Sequence, residues 1–286
     1  NEYLKSLIKQ QSARCMTGYI YASAGYGEST ADVVYAGKGF IAENGILLGE
    51  SERFPMKEKL LIGEIDIDYL LHDRQVNTSF MEGMAMFTES KQPVYISFDM
   101  SPYSNFKLNR RIDPMPFVPS SGISRDERCE EIFQIQINGL AKRLVHTHIK
   151  TALIGVSGGL DSTLALLVTV MTFDALGISR KQIIGVTMPG FGTTGRTYNN
   201  AIGLMRSLGI TVREISIVDA SKQHFKDIGP DGITHDVTYE NTQARERTQM
   251  LMDLANMENG LVISTGDLSE LALGWATYNG DHMSMY

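Results

Sequence analysis

The chain has 286 residues, of which 43% are hydrophobic and 21% are charged, and its formal net charge is −7. This composition is typical of a globular protein, and the length favours two domains. The acidic balance argues against broad binding to nucleic acid or to a membrane surface, since both need a basic face, but a small anionic ligand remains possible. The two cysteines, Cys15 and Cys129, have no metal-ligand spacing and favour a reducing, cytoplasmic compartment. We expect Cys15 to be a buried residue on a strand.

The first third of the sequence has strand and hairpin patterns. Asn44-Gly45 lies between two apolar runs, which strongly indicates a β-hairpin. The sequence predicts a helix over 3–14, strands over 15–23, 32–37 and 59–66, and a helix from there to 74. Regular patterning fades from about 75 to 124, and we place a linker at 99–125 between domains at 1–98 and 126–286.

The remaining sequence alternates between helix and strand patterns. It begins with an amphipathic helix at about 126–148, with apolar positions at Ile132, Ile135, Leu140 and Leu144. Strands are predicted at 151–157, 182–189, 210–217 and 261–265, with helices at 161–177, 197–209, 241–256 and 267–273. Such alternation predicts an α/β fold with a parallel sheet, in which ligands bind beyond the carboxyl ends of the strands. The residues just after Val156, Thr187 and Ser264 should therefore face one cleft.

The stretch "GVSGGLDS" at 155–162 joins a strand to a helix through paired glycines. Backbone N–H groups at such a helix start attract phosphate, and Ser157 and Ser162 could donate further hydrogen bonds. Asp161 would repel a bare phosphate, so a magnesium ion between the two is predicted. No lysine follows the glycines, which excludes a P-loop. The alternative interpretation is a turn in which Asp161 and Ser162 only cap the helix.

Three longer strings resemble one enzyme family. "SGGLDS" is similar to the pyrophosphate loop of ATP pyrophosphatases, which adenylate their substrates. The stretches "YENTQARERTQMLMDLAN" (239–256) and "STGDLSELALGWATYNGDHMSMY" (264–286) resemble the glutamine-dependent NAD synthetases. Residues 10–55 resemble the later half of the nitrilase-like amidase domain of the same family. The resemblance implies ATP-dependent amidation of deamido-NAD to NAD, with ammonia supplied from glutamine in the full-length enzyme.

The resemblance also implies roles for individual residues. Asp161 and Glu270 would hold magnesium and act in catalysis. The implied ATP-binding residues are Gly155, Ser157, Gly158, Gly159, Asp161, Ser162, Met188 and Thr265. The implied deamido-NAD residues are Asn241, Arg245, Glu270, Trp275, Ala276, Thr277, Tyr278 and Asp281.

Several of these residues have a purely structural alternative. Met188 and Trp275 could be core residues, and Asp267 with Glu270 could form a capping box. Arg247 lies about 200° around the helix from Arg245, so we expect it to make a surface or partner contact.

We expect a cytoplasmic homo-oligomer that acts on small molecules. The family's nucleophilic cysteine lies upstream of the "SARC" segment, so the chain should resemble the later part of an amidase domain, a linker, and a synthetase domain truncated at its C-terminus. Such a chain would lack glutaminase activity by itself. The alternatives are another adenylating enzyme, such as a tRNA-modifying or GMP synthetase-like one, and a non-catalytic nucleotide-binding fragment.

Overall fold

The protein is described here by a computed structural model. It describes residues 2–29, 31–85, 94–99, 107–110, 112–115, 118, 122–229, 234–280 and 282–286. The chain divides into two compact units, residues 1–115 and 116–286. Among the described residues, no helix is both long and apolar enough to cross a membrane.

The first unit contains a three-stranded antiparallel sheet in the order β1-β2-β3. The predicted hairpin is confirmed, because Asn44 and Gly45 connect β2 to β3 with φ angles of +43° and +86°. Both positive values are what a tight two-residue hairpin turn requires. The elements of this unit are α1 (Glu2–Arg14), β1 (Gly18–Ala22), β2 (Gly39–Glu43), β3 (Ile46–Glu50), α2 (Ile67–Val76) and α3 (Thr78–Ala85).

Two predicted strands of the first unit are wrong. Residues 59–66 form no strand, although their apolar residues alternate. Leu61 and Ile65 pack instead on glycines of the sheet: a Cβ added to Gly18 would lie 2.7 Å from Ile65 Cδ1, and one added to Gly49 would lie 3.2 Å from Leu61 Cδ1. Residues 32–37 likewise form no strand. Strand propensity without a pairing partner does not produce a strand.

A buried ion pair stabilises the first unit. Glu43, at the end of β2, has no exposed surface, and its carboxylate accepts hydrogen bonds from Arg110 Nη1 at 2.9 Å, Arg110 Nη2 at 2.5 Å and the Asp66 backbone N–H at 2.6 Å. Burial raises the pKa of Glu43, but the hydrogen bonds from Arg110 and Asp66 outweigh it, so the pKa is lowered overall. Arg110 belongs to the predicted linker, so this ion pair connects part of that segment to strand β2 of the hairpin.

The second unit is built on a four-stranded parallel sheet in the order β6-β5-β4-β7, which confirms the predicted α/β fold. Residues of β4 alternate between two hydrophobic clusters: Ala152 and Ile154 pack with Phe173 on one face, and Leu153 packs with Leu254 on the other. The elements are α4 (Gly122–Thr147), β4 (Thr151–Gly155), α5 (Leu160–Ala175), a 3₁₀ turn (Arg180–Gln182), β5 (Ile183–Thr187), α6 (Gly195–Ser207), β6 (Thr211–Glu214), α7 (Val218–Ile228), α8 (Val237–Met257), β7 (Gly260–Ile263) and α9 (Leu268–Leu273).

Two details of the second unit differ from the sequence prediction. Helix α7 was not predicted. On α4, Leu140 and Leu144 are buried as expected, but Ile132 and Ile135 are 42% and 65% exposed, because only the later part of the helix packs on the sheet side of the unit.

Cys15 also differs from its prediction. It lies in the turn after α1 and is half-buried, and its Sγ accepts a hydrogen bond from Gln11 Nε2 at 3.3 Å. It is therefore not a buried strand residue. Cys129 is exposed on α4.

Candidate functional site

Three neighbouring strands deliver their following loops to one edge of the parallel sheet. Gly155 of β4 is paired with Val186 of β5, and Ile154 is paired with Ile263 of β7. The loops after Gly155, Thr187 and Ile263 therefore begin side by side, as the sequence predicted. Met188, the first residue after β5, lies beside the end of β4, since a Cβ added to Gly155 would lie 3.5 Å from Met188 Cε.

The loop after β4 leads directly into α5. Gly159 is the N-cap of this helix, with φ −86° and ψ 175°, and no side chain caps the helix there. The interpretation of Asp161 and Ser162 as capping residues is therefore wrong. Ser162 is buried, and its hydroxyl donates to the Gly159 carbonyl at 3.2 Å and lies 3.2 Å from the Ser157 hydroxyl. The first N–H groups of α5 are thus left without a side-chain cap, which is the condition for anion binding at a helix start.

The two adjacent positions 158 and 159 are glycine for different structural reasons. Gly158 has a φ of +87°, and a Cβ there would lie 2.2 Å from the carbonyl oxygen of Thr197 in α6. Gly158 thus permits a close approach of two backbones. Gly159 has an ordinary extended backbone, and its nearest neighbour for an added Cβ is Ser157 Oγ at 3.5 Å. Gly159 is exposed, so the absence of a side chain leaves its backbone accessible from solvent.

Asp161 lies in the first turn of α5 and is exposed. Within the described part of the chain, its carboxylate has no hydrogen-bond or ion-pair partner. Its position beside the uncapped N–H groups is compatible with a bridging cation between the carboxylate and a phosphate.

The loop after β7 forms the capping box that the sequence offered as an alternative. Asp267 caps α9 and accepts from the Glu270 backbone N–H at 2.7 Å, while Glu270 Oε2 accepts from the Asp267 backbone N–H at 3.1 Å. This geometry occupies one carboxylate oxygen of Glu270 with the cap and leaves the side chain half-exposed. Thr265, three residues before α9, is also half-buried.

Helix α8 contacts the segment that follows α9. Thr277 Oγ1 donates to Asn241 Oδ1 at 2.8 Å, and Arg245 Nε donates to the Tyr278 carbonyl at 3.0 Å. The structure therefore brings together four residues that the resemblance assigned to one ligand. Trp275 is 80% exposed, so the alternative interpretation of this tryptophan as a core residue is wrong. Ala276 is exposed as well. Asp281 lies outside the described residues.

Met188 is buried, with 9% of its surface exposed, and packs in the core cluster between the sheet and α8. Its packing favours the core alternative for the side chain. Its carbonyl accepts a hydrogen bond from Arg247 Nε at 3.4 Å. Arg247 is half-buried and contacts the carboxyl end of β5, so it is not solely the surface or partner contact that the sequence predicted.

This edge also contains Gln243, Arg247 and Thr197, which were not predicted to lie there. Gln243 and Arg247 are four residues apart on α8, so their spacing predicts a shared helical face and could have identified them. Nothing in the local sequence identifies Thr197, because its contact with Gly158 is made by a backbone carbonyl.

The site has the oxygen donors that magnesium prefers. They are the carboxylates of Asp161 and Glu270 and the hydroxyl of Ser157. Among the described residues, no group of three or more His, Cys, Asp or Glu side chains could hold a metal by itself. Magnesium typically binds one or two protein carboxylates and completes its coordination with phosphate oxygens and water.

Comparison with known proteins identifies the family of the second unit. A family model described as NAD synthase matches residues 132–285. The chain belongs to the NAD synthase family. The match covers β4, β5, β7 and α8, and with them every loop of the edge described above.

Relatives of this NAD synthase chain extend the likeness to the first unit. The glutamine-dependent NAD(+) synthetase of Mycobacterium leprae (strain TN) is 42% identical over 98% of this chain, and that of Mycobacterium tuberculosis (strain ATCC 25618 / H37Rv) is also 42% identical over 98%. The chain spans 42% of the length of each of these relatives.

A solved structure has a similar fold. It is a glutamine-dependent NAD+ synthetase from Acinetobacter baumannii in complex with ADP, and the TM-score is 0.50 at 24% sequence identity. The matched region covers 99% of this chain and 44% of the Acinetobacter baumannii chain. At this identity the likeness shows the fold alone.

Proposed function

We propose that the chain is part of a glutamine-dependent NAD synthetase, and that its second unit performs ATP-dependent amidation of deamido-NAD to NAD. The observation that best supports this proposal is the uncapped start of α5, with exposed Gly159 and exposed Asp161, at the edge where the loops of β4, β5 and β7 begin. The family match and the 42% identity to two glutamine-dependent synthetases favour this function over a tRNA-modifying or GMP synthetase-like enzyme.

The reaction has two steps with a balanced exchange of groups. A carboxylate is a poor electrophile, so an oxygen of the nicotinate carboxylate first attacks the α-phosphorus of ATP, and the bond to pyrophosphate breaks. Ammonia then attacks the carboxyl carbon of the acyl adenylate, loses a proton, and AMP departs with the original carboxylate oxygen. The products are NAD, AMP and pyrophosphate.

The residues of the α5 start would bind the phosphates. The N–H groups of its first turn point along the helix axis with about half a positive charge, and the Ser157 hydroxyl could donate a further hydrogen bond. Fixed donors of this kind stabilise charge that grows on a leaving group without reorganising during the reaction. Gly155, Gly158 and Ser162 would shape the loop, and Thr265 and Met188 would border the ATP site from the neighbouring strands.

Asp161 and Glu270 would hold magnesium. When bound, magnesium neutralises charge on the departing pyrophosphate. The capping box fixes the orientation of Glu270, because its Oε2 accepts from the Asp267 N–H. A structural cap and a ligand role are therefore compatible in this residue.

Deamido-NAD would bind between α8 and the segment after α9. Arg245 is exposed, so part of its guanidinium beyond the bond to Tyr278 could face an anionic group of the substrate. Asn241 and Thr277 are hydrogen-bonded to each other and could orient the ligand, while Trp275, Ala276 and Tyr278 would supply contact surface. Asp281 and the catalytic use of Glu270 belong to this proposal on the resemblance alone.

The finer assignments rest on the sequence. Residues 1–98 would be the later part of a nitrilase-like amidase domain, residues 99–125 a linker and residues 126–286 the synthetase domain. In the full-length protein ammonia would come from glutamine. A cytoplasmic location and a homo-oligomeric state are part of the same proposal.

Oxygen-isotope transfer tests the proposal most directly. Deamido-NAD labelled with ¹⁸O in its carboxylate is incubated with the protein, ATP, magnesium and ammonia. Adenylation predicts one ¹⁸O atom in AMP for each NAD formed. Label in inorganic phosphate would indicate an acyl phosphate and refute the mechanism. ATP binding without any dependence on deamido-NAD, and no NAD, would favour a non-catalytic nucleotide-binding role.

A further inference from the structure

The loop after β5 is attached to α8 by polar contacts that have no assigned role in the proposed function. We call residues 188–191 the β5 loop. Gln243 Oε1 accepts a hydrogen bond from the Phe191 backbone N–H at 3.1 Å, and Arg247 Nε donates to the Met188 carbonyl at 3.4 Å. Gln243 and Arg247 are one helical turn apart, so they contact the loop at two adjacent points.

Gln243 is suited to hold a backbone in a fixed place. Only 5% of its surface is exposed, and its amide Nε2 donates to the Tyr239 carbonyl at 3.1 Å. This second bond orients the side chain so that its oxygen faces Phe191. Separating the two groups is costly on the Gln243 side, because its buried oxygen would lose its hydrogen bond without gaining water.

The β5 loop fits tightly against this pair. A Cβ added to Gly190 would lie 2.6 Å from Gln243 Oε1 and 2.8 Å from Arg247 Nη2, whereas one added to Gly192 would have nothing within 4 Å. The loop backbone thus approaches α8 closely at Gly190 but not at Gly192. The Pro189 carbonyl accepts from the Ile217 N–H at 3.2 Å on the other side of the loop.

Aromatic rings support the same loop. The ring centroid of Phe191 lies 5.5 Å from that of Tyr239 and 6.4 Å from that of Phe225. The rings of Tyr239 and Phe225 are stacked, with their centroids 5.8 Å apart. Ring pairs at these separations are attractive. The rings thus support the side chain of Phe191, while Gln243 contacts its backbone N–H.

Helix α8 therefore contacts two loops of the site with two different faces. Asn241 and Arg245 contact the 277–278 segment, and Gln243 and Arg247 contact the β5 loop. We propose that Gln243 is a positioning residue, which with Arg247 holds the β5 loop at the edge of the ATP site and keeps it at a fixed distance from the deamido-NAD side. This inference deepens the proposed function and rests on it for the identity of the two ligands.

Two variants of Gln243, one apolar and one that keeps an acceptor, test the role. Gln243→Leu removes the acceptor and should leave the Phe191 N–H without a partner. Gln243→Glu keeps an acceptor for the Phe191 N–H but loses the Nε2 bond to the Tyr239 carbonyl, so it should preserve the contact with the loop only in part. We expect amide exchange at Phe191 to accelerate at least tenfold in Gln243→Leu and clearly less in Gln243→Glu, which still offers an acceptor. Equal exchange in the two variants would overturn the proposal.

A pair of glycine variants tests the same contact from the loop side. Gly190→Ala places a methyl group against both α8 side chains, while Gly192→Ala adds the same group in open space. With ATP and magnesium as the probe in calorimetry, Gly190→Ala should weaken ATP binding about tenfold or more, and Gly192→Ala should change it less than twofold. Similar affinities for these two variants would contradict the inference even if Gln243→Leu failed to fold.

Substrate dependence separates positioning from general damage. In the ammonia-driven reaction, Gly190→Ala should raise the KM for ATP more than the KM for deamido-NAD. An equal rise in both would point to a general packing defect and refute the specific role. If the parent chain binds no ATP, the proposed function fails, but the exchange measurement at Phe191 still decides whether Gln243 holds the loop.

Discussion

The two adjacent glycines of the α5 loop should respond differently to the same substitution. Gly158→Ala forces a residue with a side chain into φ +87°, which costs ~1–2 kcal/mol. It also places a methyl carbon 2.2 Å from the Thr197 carbonyl oxygen, so α6 or the loop must move, at an overpacking cost of ~1–3 kcal/mol. The sum is about 2–5 kcal/mol, which for a unit of this size lowers Tm by ~4–20 °C.

Gly159→Ala is the matched control for folding. Its backbone is extended, and its nearest contact would be an ordinary 3.5 Å to Ser157 Oγ. Glycine is preferred over alanine at an N-cap by less than ~1 kcal/mol, and alanine recovers ~0.4–1 kcal/mol by restricting the unfolded chain. Tm should therefore stay within ~2 °C of the parent value, since the two terms nearly cancel.

Ligand binding should separate the two variants in the other direction. If phosphate approaches the exposed side of Gly159, the methyl group of Gly159→Ala would occupy that space and weaken ATP binding by at least about tenfold, or ~1.4 kcal/mol. Thermal melting without ligand and calorimetry with ATP and magnesium measure the two effects. A normal Tm for Gly158→Ala would refute the steric argument, and normal ATP affinity for Gly159→Ala would refute the phosphate-binding role of this loop.

Three further outcomes are expected. No side chain caps α5, so the free energy of unfolding of Asp161→Asn and of Asp161→Ala should lie within ~1 kcal/mol of the parent value. Both variants should nevertheless slow adenylation by ~10²–10³-fold. Near-normal turnover of either variant would contradict the metal assignment. Arg110→Ala leaves the buried Glu43 carboxylate without its cation and should destabilise the first unit by ~3–5 kcal/mol in chemical denaturation, whereas a loss under 1 kcal/mol would show that the pair is dispensable. Hydrogen bonds from Lys38 and then Lys5 lower the pKa of Glu50 to about 2, so its stabilising effect is present above about pH 4.5 and is lost as pH falls toward 2; Glu50→Gln should flatten that part of the melting profile relative to the parent chain, and identical profiles would contradict the assignment.

Much of the second unit could be predicted because its signals are local. Strand and helix patterns alternate at short spacing, and the glycine-rich turn follows a buried strand, so the parallel sheet and the position of the α5 loop follow from neighbouring residues. The capping box at Asp267 and Glu270 is equally local, since its partners are three residues apart.

The first unit shows the limit of such patterns. Residues 59–66 alternate like a strand, but Leu61 and Ile65 achieve their burial by packing on sheet glycines rather than by pairing. The same period of two arises from either arrangement, so the sequence could not distinguish them.

The sequence by itself determined the family resemblance, the order of helices and strands in the second unit and the residues proposed to bind ATP and magnesium, because these depend on neighbouring residues and on motif identity. Only the tertiary structure decided that Gly158 faces the Thr197 carbonyl, that Arg247 turns toward Met188 and that Gln243 holds Phe191. Each of these contacts joins residues 39 to 59 positions apart. Such contacts exist only after the sheet has set the spacing between its loops, and this spacing is a property of the packed core rather than of any local pattern.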